Sequence, residues 1–459
     1  MKKIAAFLKK GKRMENQKVL ILDCGSAHAQ ILARRIRNLN VYSEVRPYKT
    51  DLEKIKDIDY QAFVFIGSPD GPADRYQDIK KTLATYQTFD KPILLVDIDS
   101  DIAVENKAEK IYSLKNKIEY IQSEAEKQAL KEFLYDIAQL KGDWKIADFI
   151  ENQIDQIRAE VGDKKLVLGL SGGVDSTVAA VLVHKAVGAQ LTCILVDHGL
   201  MRKNEADDVE KLFREKYDMQ FVHVKAEERF LNRLADVTDP EKKRKIIGEE
   251  FIRVFEEESN KIEDAEYLVQ GTIYPDIIES DASLGKMVKS HHNVGGLPED
   301  INFKGIVEPL KDLFKDEVRK VGIELGLPEN MVNRQPFPGP GLGVRIIGAI
   351  TKAKADILRE ADAIMREEIE KAGLDKEINQ YFAVLTGIQS VGVRNENRTY
   401  DYTIALRAVK TVDFMTATYY PIPYEILDII TKRITQEVEG VNRIVYDITG
   451  KPPATIEWE

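Results

Sequence analysis

The segment that decides the fold of the central part of the chain spans residues 165–187 and reads KLVLGLSGGVDSTVAAVLVHKAV. Its start, KLVLGL (165–170), is a short apolar run that predicts a buried strand. Its end, TVAAVLVHKAV (177–187), predicts a helix, and the loop SGGVDS (171–176) lies between them. This order predicts a phosphate site, because glycines let the backbone approach phosphate and the amides at a helix N-terminus donate to it.

The side chains of this loop have the chemistry that a bound polyphosphate needs. Ser171, Ser176 and Thr177 offer hydroxyl donors beside the backbone of Gly172, Gly173 and Val174. A bare carboxylate would repel a polyphosphate, so Asp175 in this position predicts a Mg²⁺ ion between the two. The loop differs from a Walker loop, which would need the pattern GxxxxGK(S/T).

A second apolar run, LTCILVD (191–197), predicts the next strand, and it ends in Asp197-His198-Gly199. Ligands of open α/β sheets bind beyond the carboxyl ends of the strands. We therefore expect the turn that begins at Asp197 to lie near the bound nucleotide, and Cys193 within the strand to belong to the core.

Length and composition exclude several classes of protein. At roughly 150 residues per domain, 459 residues predict about three domains. The net charge of −10 argues against a general nucleic-acid binder. No apolar run is long enough for a transmembrane helix, so no membrane association is expected. The two cysteines, Cys24 and Cys193, predict neither a disulfide framework nor a multi-cysteine zinc site, and favour a cytoplasmic setting.

The N-terminal third alternates predicted strands with helices. Residues 1–17 are a basic tail that we expect to be disordered, with Met14 as an alternative start. Apolar runs at 18–23, 41–46, 62–66 and 92–96 predict strands, and 29–39 has helical periodicity. This alternation predicts a parallel sheet covered on both faces. The Lys- and Glu-rich stretch 105–140 predicts helices.

Three further motifs identify a family resemblance for the second half of the chain. The segments GTIYPDIIES (271–280), KSHHNVGGLP (289–298) and VEPLKDLFKDEVR (307–319) resemble the synthetase domain of GMP synthetases. SGGVDS resembles the PP-loop of ATP pyrophosphatases. The resemblance implies Mg²⁺ on Asp175 and Asp175 and Ser176 as catalytic residues. It implies ATP binding by Ser171, Gly172, Gly173, Val174, Asp175, Ser176, Thr177 and Asp197.

The C-terminal part begins with a Pro- and Gly-rich linker, QPFPGPGLGVR (335–345), and continues as a predicted α+β unit. The chain ends in KPPATIEWE (451–459), which resembles the C-terminus of GMP synthetases. In that family this tail binds XMP and its domain forms a homodimer. The resemblance implies that Lys451 meets the 5′-phosphate, that Ile456 and Glu457 approach the base, and that Arg244 is a further basic contact.

The N-terminal part resembles a class I glutamine amidotransferase through LDCGSAHAQILARRIRNLNVYSEV (22–45), but its catalytic residues differ. The family's fourth strand leads into the nucleophile elbow G-(I/V)-C-x-G-x-Q, whereas residues 95–101 here read LVDIDSD. Asp97 replaces the cysteine, and no histidine lies between His28 and His184 to act as its base. We therefore expect a shortened, degenerate glutaminase domain.

These features predict a multidomain α/β protein. Residues 18–140 form the degenerate amidotransferase-like domain, 145–334 a Rossmann-like PP-loop ATP pyrophosphatase domain, and 335–459 a dimerisation and XMP-binding domain. The implied reaction is the ATP-dependent amination of XMP to GMP with free ammonia. Three alternatives stay open: ammonia from a separate glutaminase, a related purine nucleotide as substrate, and a non-catalytic regulator. The intact SGGVDS and KPPATIEWE motifs disfavour the regulator.

Overall fold

The computed structural model of the chain describes residues 16–67, 73–98, 111–114, 124–282, 303–394, 396–411 and 414–459. The chain forms two compact units. The first unit contains Met1–Asn152 with Ile273–Lys289, and the second contains Gln153–Thr272 with Ser290–Glu459. Most of the predicted basic tail, the elbow residues Asp99 and Asp101, and the KSHHNVGGLP motif lie outside the described residues.

The strands among the described residues form three sheets. In the first unit a fully parallel sheet has the order β2-β1-β3-β4-β5, and in the second unit a parallel sheet has the order β10-β9-β6-β7-β8. The third sheet, also in the second unit, is built on the antiparallel pair β11–β12, with β13 and β14 both paired to β12. The strands are β1 Lys18–Asp23, β2 Tyr42–Pro47, β3 Tyr60–Ile66, β4 Ile93–Val96, β5 Ile111–Leu114, β6 Lys165–Leu170, β7 Leu191–Asp197, β8 Gln220–Lys225, β9 Ala265–Val269, β10 Gly305–Val307, β11 Gln380–Arg394, β12 Asn397–Lys410, β13 Thr418–Tyr419 and β14 Val441–Asp447.

The helices connect these strands in the way that parallel sheets require, since a parallel crossover needs a long connection. The α/β class predicted from the alternation is confirmed. The helices are α1 Ala29–Asn38, α2 Ala73–Tyr86, α3 Glu124–Lys131, α4 Ile146–Val161, α5 Val174–Val187, α6 Glu205–Lys211, α7 Glu227–Arg233, α8 Pro240–Ser259, α9 Tyr274–Ala282, α10 Lys315–Glu324, α11 Glu329–Val332, α12 Lys352–Lys371 and α13 Tyr424–Glu437.

One prediction for the first unit is wrong. The stretch 105–140 was expected to be helical, but Ile111–Leu114 forms β5 and pairs in parallel with β4 along the edge of the sheet. The sequence IYSL is β-branched and aromatic at its start, and the ladder offered by β4 outweighs the helix propensity of the flanking Lys and Glu residues. Within the described part of that stretch, helix is present only from residue 124 onward.

The predicted strands at 165–170 and 191–197 are confirmed, and they form the centre of the second sheet. Helix α5 begins three residues earlier than the periodicity indicated, at Val174. Gly173 is its N-cap, with φ −73° and ψ 159°. As a result Asp175 and Ser176 lie in the first turn of the helix, where the free amides and the positive end of the helix dipole favour a bound anion.

Among the described residues, no helix combines the length and the apolar character that crossing a bilayer would need.

Candidate active site

The phosphate-binding loop follows directly from β6. Gly172 has φ +73°, a left-handed conformation that glycine adopts without steric cost, and it turns the chain into the start of α5. The hydroxyls of Ser176 and Thr177 both donate to the carbonyl of Gly173, at 3.1 and 2.8 Å. The amide of Gly173 donates to Ser171 Oγ at 3.2 Å. The loop is therefore held in shape by its own hydroxyls, and the first-turn amides are left for a ligand.

Asp175 forms the charged edge of this loop. Its Oδ2 lies 2.5 Å from Nζ of Lys315, the first residue of α10. Its Oδ1 is buried and has no hydrogen-bond partner. An unpartnered carboxylate oxygen beside helix-terminal amides is the kind of hard oxygen ligand that Mg²⁺ takes. The residues present thus fit the predicted metal, and Lys315 adds a second positive group that a polyphosphate would contact.

The strand β9 leads a third segment against the loop. A Cβ on Gly271 would lie 3.2 Å from the amide nitrogen of Ser176 and 3.3 Å from the carbonyl carbon of Asp175. Only glycine lets the backbone pass this close. The next residue, Thr272, is buried and donates its hydroxyl to Glu308 at 2.6 Å. The first residue of the GTIYPD motif therefore packs against the phosphate loop. The motif by itself does not predict this contact.

The predicted nucleotide-binding turn follows β7, the neighbour of β6. Asp197 accepts the amide of Gly199 at 2.9 Å, and His198 Nδ1 accepts the amide of Leu200 at 3.0 Å. His198 is buried, and burial lowers its pKa to about 4, so the imidazole is neutral near pH 7. Cys193 is fully buried inside the strand, as predicted. The turn thus combines a neutral imidazole with the carboxylate of Asp197.

The C-terminal tail folds back onto the second unit. Arg345, which is fully buried, donates to the carboxylate of Glu457 through Nε at 3.0 Å and Nη2 at 2.8 Å, and Gln380 donates to the same carboxylate at 2.8 Å. Ile456 is buried in a cluster with Phe382 and its neighbours. Of the predicted XMP-binding residues, the side chains of Ile456 and Glu457 are thus engaged within the protein.

Arg244 is brought to this tail from α8. Its Nη2 donates to the backbone oxygen of Glu459, and the neighbouring Lys243 pairs with the Glu459 side chain. Lys451 is further along the tail, where Nζ donates to the carbonyl of Phe414 at 2.7 Å. The structure therefore brings Arg244 into contact with Glu459, which is 215 residues away in sequence. Lys451 makes a separate contact.

Four residues with defined contacts at this site were missed by sequence reasoning: Lys315, Arg345, Gln380 and Glu459. Lys315 and Arg345 lie in motifs that were quoted, VEPLKDLFKDEVR and QPFPGPGLGVR, but no local spacing indicates their partners. A buried arginine must find a carboxylate, and that rule predicts that Arg345 has a partner without saying which one.

A second group of side chains has ligand atoms close enough for a metal: Asp207, Glu210 and His223, with atoms within 4.8 Å of one another. Glu210 is already paired with His223 at 2.7 Å and with Arg214 at 2.8 Å. These contacts satisfy the carboxylate of Glu210. We therefore interpret the three side chains as an ion-pair cluster.

Asp97, the position that the amidotransferase resemblance assigns to the nucleophile, lies in a turn of the first unit. Asp97 follows β4 directly and has φ +52°. Gly67 packs against this turn, since a Cβ there would lie 3.0 Å from the carbonyl oxygen of Asp97. Burial raises the pKa of Glu126 to about 7, with Arg35 opposing the shift and the charge of Asp97 adding to it. The elbow therefore carries carboxylates, while Cys24 is buried on another strand end, as predicted.

Comparisons with known proteins identify the families that parts of this chain resemble. Three family models match the chain: glutamine amidotransferase class-I over residues 20–143, NAD synthase over 144–248, and GMP synthase C terminal domain over 367–458. The solved NMN synthetase from Francisella tularensis aligns with a TM-score of 0.35 and 17% identity over 44% of this chain and 79% of that chain, a likeness too weak to support an argument.

Full-length relatives give a much closer match. The glutamine-hydrolyzing GMP synthase of Acetivibrio thermocellus is 51% identical over 511 residues, covering 97% of this chain and 100% of that protein. The protein of the same name from Ruminiclostridium cellulolyticum is 49% identical with the same coverage. Because identity at this level extends over nearly the whole chain, the chain belongs to the GMP synthase family.

Proposed function

We propose that this enzyme, an ATP-dependent ligase, aminates XMP to GMP and uses free ammonia as the nitrogen donor. The synthetase half of this proposal rests on family membership and on the phosphate loop with its unpartnered Asp175 oxygen. The choice of ammonia rests on one observation, the carboxylate of Asp97 at the elbow in a stretch without any histidine from 29 to 183.

The first step that the loop supports is adenylylation. The C2 oxygen of XMP attacks the α-phosphorus of ATP, the bond from that phosphorus to the bridging oxygen breaks, and pyrophosphate leaves with its electron pair. The first-turn amides of α5 and the ammonium of Lys315 stabilise the charge that develops on the departing phosphates. Mg²⁺ held by Asp175 would supply further neutralisation of that charge.

The second step replaces the activated oxygen. Ammonia adds to C2, the bond from C2 to the adenylyl oxygen breaks, and AMP leaves while one proton is lost from the new amine. Adenylylation makes a poor leaving oxygen into a good one, so the chain's own residues need to orient rather than to react. The role of Ser176 in this scheme is to hold the loop through its bond to Gly173.

The proposal assigns a different role to each of the predicted XMP-binding residues. Arg244 on α8 contacts Glu459 through Nη2 and lies 3.6 Å from a carboxylate oxygen of Glu241 through Nε, so we assign Nη1 to a phosphate or base. The internal bonds of Glu457 support a role for the tail backbone near the base, with the Glu457 side chain as its anchor. Lys451 lies on the same tail, six residues before Glu457, and is proposed to meet the 5′-phosphate.

We further propose that the third sheet carries a homodimer interface. Beyond its buried half, the β11–β12 ribbon exposes Val391, Val393 and Tyr400, which are 51, 77 and 64% exposed. Val391 lies directly opposite Tyr400, and Val393 lies two residues along on the same face. An apolar stripe of this kind is typical of an interaction surface. A second copy of the chain is the occupant that the family resemblance implies.

Two further observations support the details. The relatives align over 511 positions while this chain has 459 residues, so positions of the relatives lack a counterpart in this chain, and we assign this shortening to the first domain. Both cysteines are buried thiols, which supports the expected cytoplasmic setting.

The deciding experiment measures AMP release from the purified full chain with ATP, Mg²⁺ and XMP, comparing ammonium chloride with glutamine. We expect turnover with ammonium and none with glutamine. Turnover with glutamine would overturn the proposed donor. Activity with ammonium only on another purine nucleotide would overturn the proposed substrate. Glutamine-dependent turnover that appears only after addition of a separate glutaminase would favour the two-subunit alternative.

A further inference from the structure

The turn that follows β7 is bonded through its backbone to a distant helix of the second unit. We call residues 197–202 the nucleotide-binding turn. Arg359, on α12, donates through Nη2 to the carbonyl of Gly199 and through Nε to that of Met201, the latter at 3.2 Å. We infer that Arg359 is a positioning residue of the synthetase: it fixes the nucleotide-binding turn, and with it Met201, against the phosphate loop. This inference rests on the proposed synthetase function.

The guanidinium of Arg359 is a suitable group for holding two carbonyls at once. Its donors lie in one rigid plane, so two acceptors bonded to it are fixed relative to one another, which a lysine ammonium does not achieve. The Arg359 side chain is 18% exposed, so both bonds are largely shielded from water. Its remaining nitrogen, Nη1, pairs with Asp356, three residues earlier on the same helix. The guanidinium is therefore itself held by α12 while it bonds the turn.

The carbonyl between these two is bonded to the C-terminal part of the chain as well. Leu200 is fully buried, and its carbonyl accepts the amide of Leu342 at 2.8 Å. A Cβ on Gly341, which has φ +62°, would lie 2.2 Å from the same oxygen, so only glycine allows this approach. Three successive carbonyls of the turn are thus bonded by two separate segments. Because a buried carbonyl that loses its partner is costly, these bonds favour a single position of the turn.

Met201 connects the nucleotide-binding turn to the phosphate loop. Its side chain is buried, and a Cβ on Gly172 would lie 3.2 Å from its Cε. Gly172 is the left-handed residue at which the loop turns into α5. Since buried groups pack at close density, a shift of the Met201 backbone changes the packing that supports Gly172. Loss of the Arg359 bonds is therefore expected to loosen the loop at Gly172 and to weaken ATP binding.

The test compares two changes at Arg359 with two controls on the same helix, all in the full chain. Arg359→Met removes both carbonyl bonds, and Arg359→Lys keeps the charge but cannot bond two carbonyls in one plane. Asp356→Asn removes the ion pair of Arg359 and leaves its carbonyl bonds. Arg366→Met removes another cation of α12, whose ion pair is with Glu370 at 3.8 Å. The controls separate the bonds to the turn from the charge and the stability of the helix.

Three quantities are measured for each variant. The Kd for ATP with Mg²⁺ is obtained by calorimetry without XMP or ammonium, so that no turnover occurs. Hydrogen–deuterium exchange is followed at residues 198–202, and the KM for XMP is taken from the ammonium-dependent reaction. We expect Arg359→Met to raise the Kd for ATP about fivefold or more and to speed exchange in the turn, with the KM for XMP within about twofold of wild type. We expect Arg359→Lys to change the Kd and the exchange in the same direction, and neither control to change them.

Arg359→Lys keeps the test decisive if Arg359→Met does not fold. A wild-type Kd for ATP or wild-type exchange in the folded Arg359 variants overturns the inference, and so does an equal effect in either control. A KM for XMP that rises as much as the Kd for ATP also overturns it, because that result means general loosening of the unit. A wild-type chain that shows no ammonium-dependent turnover overturns the proposed function instead, and the Kd for ATP and the exchange still decide the inference.

Discussion

The carboxylate of Asp175 and the ammonium of Lys315 meet at 2.5 Å across 140 residues of sequence, at the first turns of two different helices. Lys315 thereby sits where the phosphates of a nucleotide bound at SGGVDS would arrive. Lys315→Met removes one positive charge from that place and leaves Asp175 without its partner. We expect kcat/KM for ATP to fall roughly 100-fold, the scale of one charge-assisted contact to a phosphate. Lys320→Met, on the exposed side of the same helix, is the control and should change little.

Asp175 itself is predicted to determine the metal requirement. Asp175→Asn keeps the size of the side chain but removes the charge that a hard divalent cation prefers. We expect the Mg²⁺ concentration for half-maximal AMP release to rise at least about tenfold, because one anionic ligand is lost. An unchanged Mg²⁺ dependence would place the metal on other residues.

Restoring the elbow cysteine should not restore glutamine use. Asp97→Cys supplies a thiol, but the stretch from 29 to 183 contains no histidine to take its proton. We expect ammonium-dependent turnover close to wild type and no glutamine-dependent turnover. Release of glutamate from glutamine by this variant would mean that a base outside that stretch serves the elbow.

The Arg345–Glu457 pair should couple stability to XMP binding. Glu457→Gln removes the carboxylate that the buried guanidinium of Arg345 contacts at 2.8 Å and leaves Asp362, at 4.0 Å, as its nearest carboxylate. We expect this loss to cost about 3 kcal/mol of unfolding free energy. Because the tail is the proposed XMP contact, the KM for XMP should rise while the KM for ATP stays near wild type. Glu425→Gln, an exposed position at the start of α13, is the matched control.

His198 should make the second unit sensitive to acid. Burial disfavours the imidazolium and lowers the pKa of His198 from its ordinary value of 6.5 to about 4 in the folded chain. Between these pH values the unfolded chain binds a proton that the folded chain does not, so stability is full above pH 6.5 and falls as the pH drops toward 4, by up to about 3 kcal/mol. Denaturant titrations of wild type and His198→Gln across this range check the sign. The half-buried His28 supplies the control variant His28→Gln, which should keep the wild-type pH dependence.

Much of the fold could be predicted because it depends on local patterns. The apolar run of β6, the glycines after it and the helix that follows are contiguous, so periodicity and turn chemistry specify strand, loop and helix together. The start of α5 at Val174 was missed by three residues, since the N-cap geometry of Gly173 is not visible as hydrophobic periodicity. The strand β5 was missed because its stability comes from pairing with β4, a partner that local propensity does not include.

The sequence by itself determined the SGGVDS loop with Asp175, the aspartate at position 97 and the family, because each of these depends on residue identity at contiguous positions. Only the tertiary structure decided which distant groups lie together in the second unit: Lys315 with Asp175, and Arg345 with Glu457. Ion pairs act over a few ångströms between segments that are far apart in sequence. Only the packing of the folded chain brings such segments together, and no local spacing records them.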